Sequence, residues 1–171
     1  MPRYAVGAGS TLVVRARSSL HDTRTVWSAV SGEVTADPAT LATAGATASF
    51  TVDMTRFDAG DFLKNRKLRK DFELEDHPQA TFTLTGLRDV VDDGGRFRAT
   101  ATGVLRWRGR EVELTVAGEG TLDASRLAAT GRVELDIRTL GLAAPRFLMF
   151  KMEDVVTVEV TLAGAVGAGP A

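Results

Sequence analysis

The chain contains no cysteine, which removes disulfides, thiolate catalysis and cysteine-ligated metal sites together. Histidine is almost as scarce. Only His21 and His77 occur, without the i,i+4 spacing of a helical zinc motif, so no metal site and no cofactor are expected. No run approaches the ~18 apolar residues of a membrane-spanning helix. The net charge is −1, so no excess of one sign draws the whole surface toward nucleic acid or membrane. There is no G-x-S-x-G elbow, and Gly7-Ala8-Gly9-Ser10 is followed by strand alternation, not by the helix a phosphate loop requires. Met1-Pro2-Arg3-Tyr4 leads into Ala5-Val6 without an apolar leader core or cleavage site, and a cytoplasmic location is expected.

What the chain has in quantity is period-two alternation. Phe97, Ala99, Ala101, Gly103, Leu105 and Trp107 share one face of a strand, with Arg98, Thr100, Thr102 and Arg106 on the other. After Arg108-Gly109, Val112, Leu114, Val116, Gly118 and Gly120 oppose Glu111, Glu113, Thr115 and Glu119. After a turn at Asp123, the run Leu127, Ala129, Gly131, Val133, Leu135, Ile137 opposes Thr130, Arg132, Glu134 and Asp136. Tight turns between consecutive strands imply antiparallel pairing. Further strands are expected at 11–17, 25–35, 46–54, 79–87 and 154–162, with a short extra one at 4–6. Asp92-Asp93-Gly94-Gly95 is expected to turn a hairpin. The expectation is an all-β, up-and-down antiparallel barrel of about eight strands, because closure hides the apolar face and removes exposed edges. A two-sheet sandwich is the rival. Residues 1–163 are read as one domain and 164–171 as a flexible tail.

The inner face holds many small residues: Ala46, Ala48, Ala80, Ala99, Ala101, Gly103, Gly118, Gly120, Ala129 and Gly131. Two explanations stay open. Glycine and alanine permit close strand approach in a strongly curled sheet. Alternatively they leave an apolar tunnel, since a filled core prefers larger side chains. In the second reading Phe50, Val52, Phe82, Leu84, Leu105, Trp107, Val116 and Leu135 form walls, with Ala101 and Ala129 in the bore.

One helix interrupts the strands. Residues 61–72 carry Lys64, Arg66, Lys67, Arg69 and Lys70, five positive charges in seven residues, with Asp61 supporting the N-terminus. Phe62, Leu63, Leu68 and Phe72 are expected to anchor it over the barrel. The basic face is either solvated or a transient contact for an anionic membrane; nucleic acid is disfavoured, since no aromatic platform accompanies the charges.

From Leu68-Arg69-Lys70-Asp71-Phe72 to His77-Pro78-Gln79-Ala80-Thr81-Phe82, the wording resembles the helix, acidic turn and strand start of the YceI-like, lipocalin-like polyisoprenoid-binding family. Gly103-Val104-Leu105-Arg106-Trp107-Arg108-Gly109 is similar to that family's hairpin, and Leu140-Gly141-Leu142 with Met152-Glu153-Asp154-Val155-Val156 to its closing segment. The resemblance implies an extended barrel whose interior binds, stores or transports a long apolar ligand: a polyisoprenoid, an isoprenoid quinone or a fatty-acid derivative. It implies no chemical step. The alternatives are a filled-barrel interaction module and an enzyme acting inside the same cavity. Whether the protein is a monomer or a homodimer is left open.

Within this frame, Trp27 joins the wall residues, and Phe62, Leu68, Phe72, Phe147, Met149 and Phe150 are expected to close the entrance. His21, in the polar turn with Ser18, Ser19 and Asp22, is a candidate headgroup contact. No catalytic residue is expected, because adjacent residues in such a turn point apart and no oxyanion site accompanies them.

Overall fold

The computed structural model describes residues 1–18, 22–144, 146–147 and 150–167. In chain order the strands are β1 (Arg3–Val6), β2 (Thr11–Arg17), β3 (Asp22–Trp27), β4 (Val30–Ala36), β5 (Ala46–Asp53), β6 (Phe57–Asp58) and β7 (Gln79–Asp93). They continue as β8 (Arg96–Trp107), β9 (Arg110–Leu122), β10 (Arg126–Asp136), β11 (Arg146–Phe147), β12 (Phe150–Lys151) and β13 (Val155–Ala165). Two helices, α1 (Leu41–Ala44) and α2 (Phe62–Asp71), and one 3-10 turn (Ile137–Leu140) complete the fold.

The expected barrel is present. Eight antiparallel strands form a closed ring in the order β1-β4-β5-β7-β8-β9-β10-β13. It closes because β1 pairs on both sides, Ala5 lying opposite Glu33 of β4 and Ala165 of β13. Along β13, β2 then takes over from β1, and β3 and β6 extend this side of the barrel. The switch from β1 to β2 is fastened by Ser10, whose hydroxyl accepts a 2.9 Å hydrogen bond from the Ala163 amide. The pairing of β1 with β13 also absorbs Gly164 and Ala165, two residues of the expected tail.

Two expected strands are interrupted or extended, for the same physical reason. The stretch 25–35 splits at Ser28-Ala29, because the inward residues change parity between Trp27 and Val30; an unbroken strand would turn one set to solvent. In β7 the register shifts between Leu84 and Gly86 and again between Arg88 and Val91, moving the inward series from Leu84 to Leu87 and then Val90. With those bulges the hairpin runs on to Asp93, and Gly94-Gly95 turn it with φ of 61° and 94°.

The helix forms where expected. Asp61 caps it by accepting from the Lys64 amide at 2.8 Å, and Arg69 and Lys70 suit the negative end of its dipole. Leu68 is buried beneath it and Phe72 is half-buried. Phe62 and Leu63, however, are 75% and 74% exposed and anchor nothing. At 100° per residue they lie on the side of the helix away from Leu68, so the anchoring expected of them falls to Leu68 and Phe72 alone.

The core divides into two clusters, one at each end of the barrel. Tyr4, Val6, Val34, Ala36, Leu41 of α1, Leu122 and Leu127 seal one end. Trp27, Met54, Leu68, Leu74, Trp107, Leu135, Ile137, Leu140, Met152 and Val156 seal the other, beneath α2 and the 3-10 turn. Tyr4 is wholly buried, and its hydroxyl donates to the Asp123 carbonyl at 2.5 Å. Burial, followed by the nearby charges of Asp123 and Asp37, pushes its phenol above the ordinary value. The folded state therefore favours the protonated form. That contribution is complete below the unfolded value of about pH 10 and is lost as pH rises through the higher folded value. Tyr4→Phe is expected to lose about 1–2 kcal/mol at neutral pH and to flatten the loss of stability above about pH 10. Urea midpoints across pH check both; a variant with the wild-type alkaline slope would remove Tyr4 from that role.

Candidate functional site

Between the two clusters lies a belt of inward side chains that is less fully buried than either end. Phe82, Leu84, Ala101, Val116, Val133 and Val160 face inward in the registers of β7, β8, β9, β10 and β13, yet each is only half-buried. None of them packs against either end cluster. Accessible surface on inward side chains is where an apolar ligand would make contact. By contrast Leu122 and Leu127 at one rim, and Trp107, Leu135 and Val156 at the other, are buried.

The small inward residues serve two purposes. A Cβ on Gly103 would clash with the Phe82 ring and meet the Thr83 carbonyl at 2.6 Å. On Gly120 it would meet the backbone of Ala128 and the Cα of Ala129 at 2.8 Å, and on Gly131 the side chain of Val116 at 2.9 Å. These three are glycine because neighbouring atoms occupy the space. Gly118 differs, its nearest neighbour being the Thr130 carbonyl at 3.4 Å, an ordinary contact. Close approach thus explains Gly103, Gly120 and Gly131, whereas a Cβ at Gly118 would make only ordinary contacts.

The candidate wall residues separate by level. Phe82, Leu84, Ala101 and Val116 form the middle belt. Phe50 and Ala129 pack against the cluster around Tyr4, and Val52 and Leu105 against the cluster beneath α2. Trp27, Trp107 and Leu135 lie inside that second cluster. Both indole N–H groups are engaged, Trp27 donating to the Met54 carbonyl at 3.1 Å and Trp107 to the His77 carbonyl at 2.9 Å. The tryptophans therefore close the end of the bore, with no free N–H to offer a headgroup. Val133 and Val160 went unrecognised as wall residues, although Val156, Val158, Val160 and Leu162 alternate with Thr157, Glu159 and Thr161 in the sequence.

Of the expected entrance residues, Leu68 and Phe72 cover the end cluster and Phe62 points away. Phe147 and Phe150 pair with each other through their backbones in the β11–β12 ladder. Met149 and the candidate headgroup contact His21 lie outside the described residues.

Arg108 holds the lid. It turns the β8–β9 hairpin with φ of 57°, a left-handed conformation that costs a non-glycine residue energy. Its guanidinium donates to the Phe72 carbonyl at 2.7 Å and to Glu73 at 3.2 Å, and stacks over Trp107. The hairpin tip is thereby tied to the C-terminus of α2. The groups with displaced titration are at rims and turns, not in the bore. Asp53, for instance, is lowered by hydrogen bonds from Thr55, and Asp123 by the amides of Ser125 and Arg126 and the Ser125 hydroxyl.

A closed antiparallel eight-strand barrel with an apolar inner face is a lipocalin-like barrel. Within that class the chain belongs to the YceI-like family, whose domain model matches residues 6–163. The fold is shared with BcnA of Burkholderia cenocepacia, at a TM-score of 0.75 and 22% identity over 91% of this chain and 96% of that one. It is shared equally with a polyisoprenoid-binding domain from Saccharophagus degradans implicated in plant cell wall breakdown (TM-score 0.75, 17% identity, 97% and 99% covered). A Campylobacter jejuni YceI protein is also similar (TM-score 0.66, 13% identity, 82% and 83% covered). No curated protein matches the chain.

Proposed function

We propose that this protein is a non-enzymatic carrier that holds one long apolar ligand along the bore, in the class of polyisoprenoids, isoprenoid quinones or fatty-acid derivatives. The observation that carries this reading is the middle belt, whose inward side chains keep accessible surface although both ends are packed. The polyisoprenoid-binding domain of like fold supports the same ligand class. Among the described residues the inward faces of the barrel offer apolar side chains and no converging titratable groups, which suits dissolution of a hydrocarbon better than a chemical step. Burial of the ligand yields roughly 0.8 kcal/mol per methylene before ordering costs.

Native mass spectrometry of the purified protein, repeated after organic extraction, tests the proposal. A stoichiometric prenyl, quinone or acyl species is expected, together with affinity for added prenols that rises with chain length and levels off once the bore is full. A ligand-free mass combined with no binding of added prenols, quinones or fatty acids would overturn the carrier in favour of an interaction module.

A further inference from the structure

The exposed face of α2 is unlike the rest of the surface. Setting the buried Leu68 at the inner side, the opposite arc of the helix carries Phe62, Arg66, Lys70 and Leu63 in succession. Phe62 and Leu63 are three-quarters exposed, the two most exposed large hydrophobic residues described. Two of the five cations on the helix are engaged: Lys67 bridges Asp71 at 2.9 Å, and Arg69 lies 4.0 Å from Glu75 and over the Phe57 ring. Lys64, Arg66 and Lys70 have no acidic partner within bridging distance among the described residues. Of the acidic groups nearby, Asp61 caps the helix, Glu73 bridges Arg108 and Asp58 accepts from the Gly60 amide, while Glu75 and Asp76 border the same concavity as Arg66 and Lys70 without bridging either. An exposed Phe-Leu pair flanked by uncompensated cations has the chemistry of a peripheral contact with an anionic bilayer: the rings and methyls enter the acyl boundary while the cations meet headgroup phosphates. No described helix is long and apolar enough to cross a membrane, so this contact is one of surface docking.

We infer that the outer face of α2 docks the protein on an anionic lipid bilayer through Phe62 and Leu63, with Arg66 and Lys70 supplying the charge selectivity. The inner face of the same helix, through Leu68 and Phe72, covers one end of the barrel. Docking would therefore set that end of the bore against the bilayer. The surface stands on its own observations, while its use in loading rests on the carrier reading.

Sedimentation with ligand-free vesicles of phosphatidylcholine, with and without phosphatidylglycerol, tests the docking separately from ligand binding. The wild type is expected to sediment with the anionic vesicles at low salt and to be released at high salt. Phe62→Ser/Leu63→Ser should weaken this about tenfold or more, and Arg66→Glu/Lys70→Glu should abolish the preference for phosphatidylglycerol. Phe62→Ser/Leu63→Ser should keep the wild-type melting temperature, and Arg66→Glu/Lys70→Glu should lose at most a few degrees through the reversed charge at the end of α2, because all four side chains are exposed. Failure of the wild type to sediment, or variants that bind as it does, would overturn the inference. So would a concentration-dependent dimer that Phe62→Ser/Leu63→Ser abolishes, since the patch would then join two copies of this chain. Prenol affinity measured without vesicles is expected to be unchanged in both variants, so loss of docking and loss of carriage are read apart.

Discussion

Ala101→Phe is expected to lower affinity for a long prenol by about two orders of magnitude while leaving the barrel folded. Ala101 faces inward between Leu87 of β7 and Val116 of β9, in the half-buried middle belt. A benzyl group there occupies the path of the ligand. If it displaces the contacts of one five-carbon unit, about 3 kcal/mol of burial is lost, which is about a hundredfold in affinity. The folding penalty should stay small, because overpacking costs arise where space is already filled. Ala129→Phe, on the same lining beside Gly120, should act in the same direction. Ala117→Phe is the matched control, since Ala117 sits on β9 next to Val116 but points to solvent. Unchanged prenol binding in both Ala101→Phe and Ala129→Phe would place any ligand outside the bore.

Gly120→Ala is expected to destabilise the barrel by roughly 1–3 kcal/mol, a fall in melting temperature of several degrees for a chain of this size. The added carbon would meet the backbone of Ala128 and the Cα of Ala129, and neither can rotate away as a side chain would. The adjacent strands would have to separate. Gly118→Ala, two residues earlier on the same face, meets nothing closer than 3.4 Å. It should be neutral or slightly stabilising, because alanine loses less backbone freedom on folding. Thermal melts of the two variants side by side decide the matter. Equal melting temperatures would mean that close approach does not explain Gly120.

That pair of glycines also marks how far the sequence could be read. Alternation in β8, β9 and β10 assigned their faces correctly, because it depends only on which residues neighbour each other along the chain. The α2 boundaries were equally legible from Asp61, the basic last turn and the acidic residues beyond. Properties set by partners distant in sequence were not. Gly118 and Gly120 are the same letter on the same face, yet one has room and the other does not, and only the register against β10 distinguishes them. The parity changes at Ser28-Ala29 and at Gly86 were present in the sequence but were overridden by the expectation of unbroken strands. Phe62 and Leu63 were assigned to the interior by hydrophobicity alone, although the helical angle from Leu68 turns them outward. How fully the interior is packed is a balance of volumes around a closed ring, and no single strand carries that information. Arg108 gave no signal at all, since a turn arginine reads as solvated until the end of α2 is placed beside it.

The pairing of β1 with β13 governs the order in which this molecule comes into being. Residues at the beginning of the chain are held by residues near its end, with Val6 opposite Gly164. A nascent chain can lay down the hairpins from β7 to β10 as it emerges, since their partners are adjacent. It cannot close the ring until β13 has left the ribosome. Until then the inward faces, which later enclose the bore, remain an open apolar sheet with two bare edges. Closure joins distant segments and should be the slow event of folding, so the enclosed barrel interior is the last feature of the protein to exist.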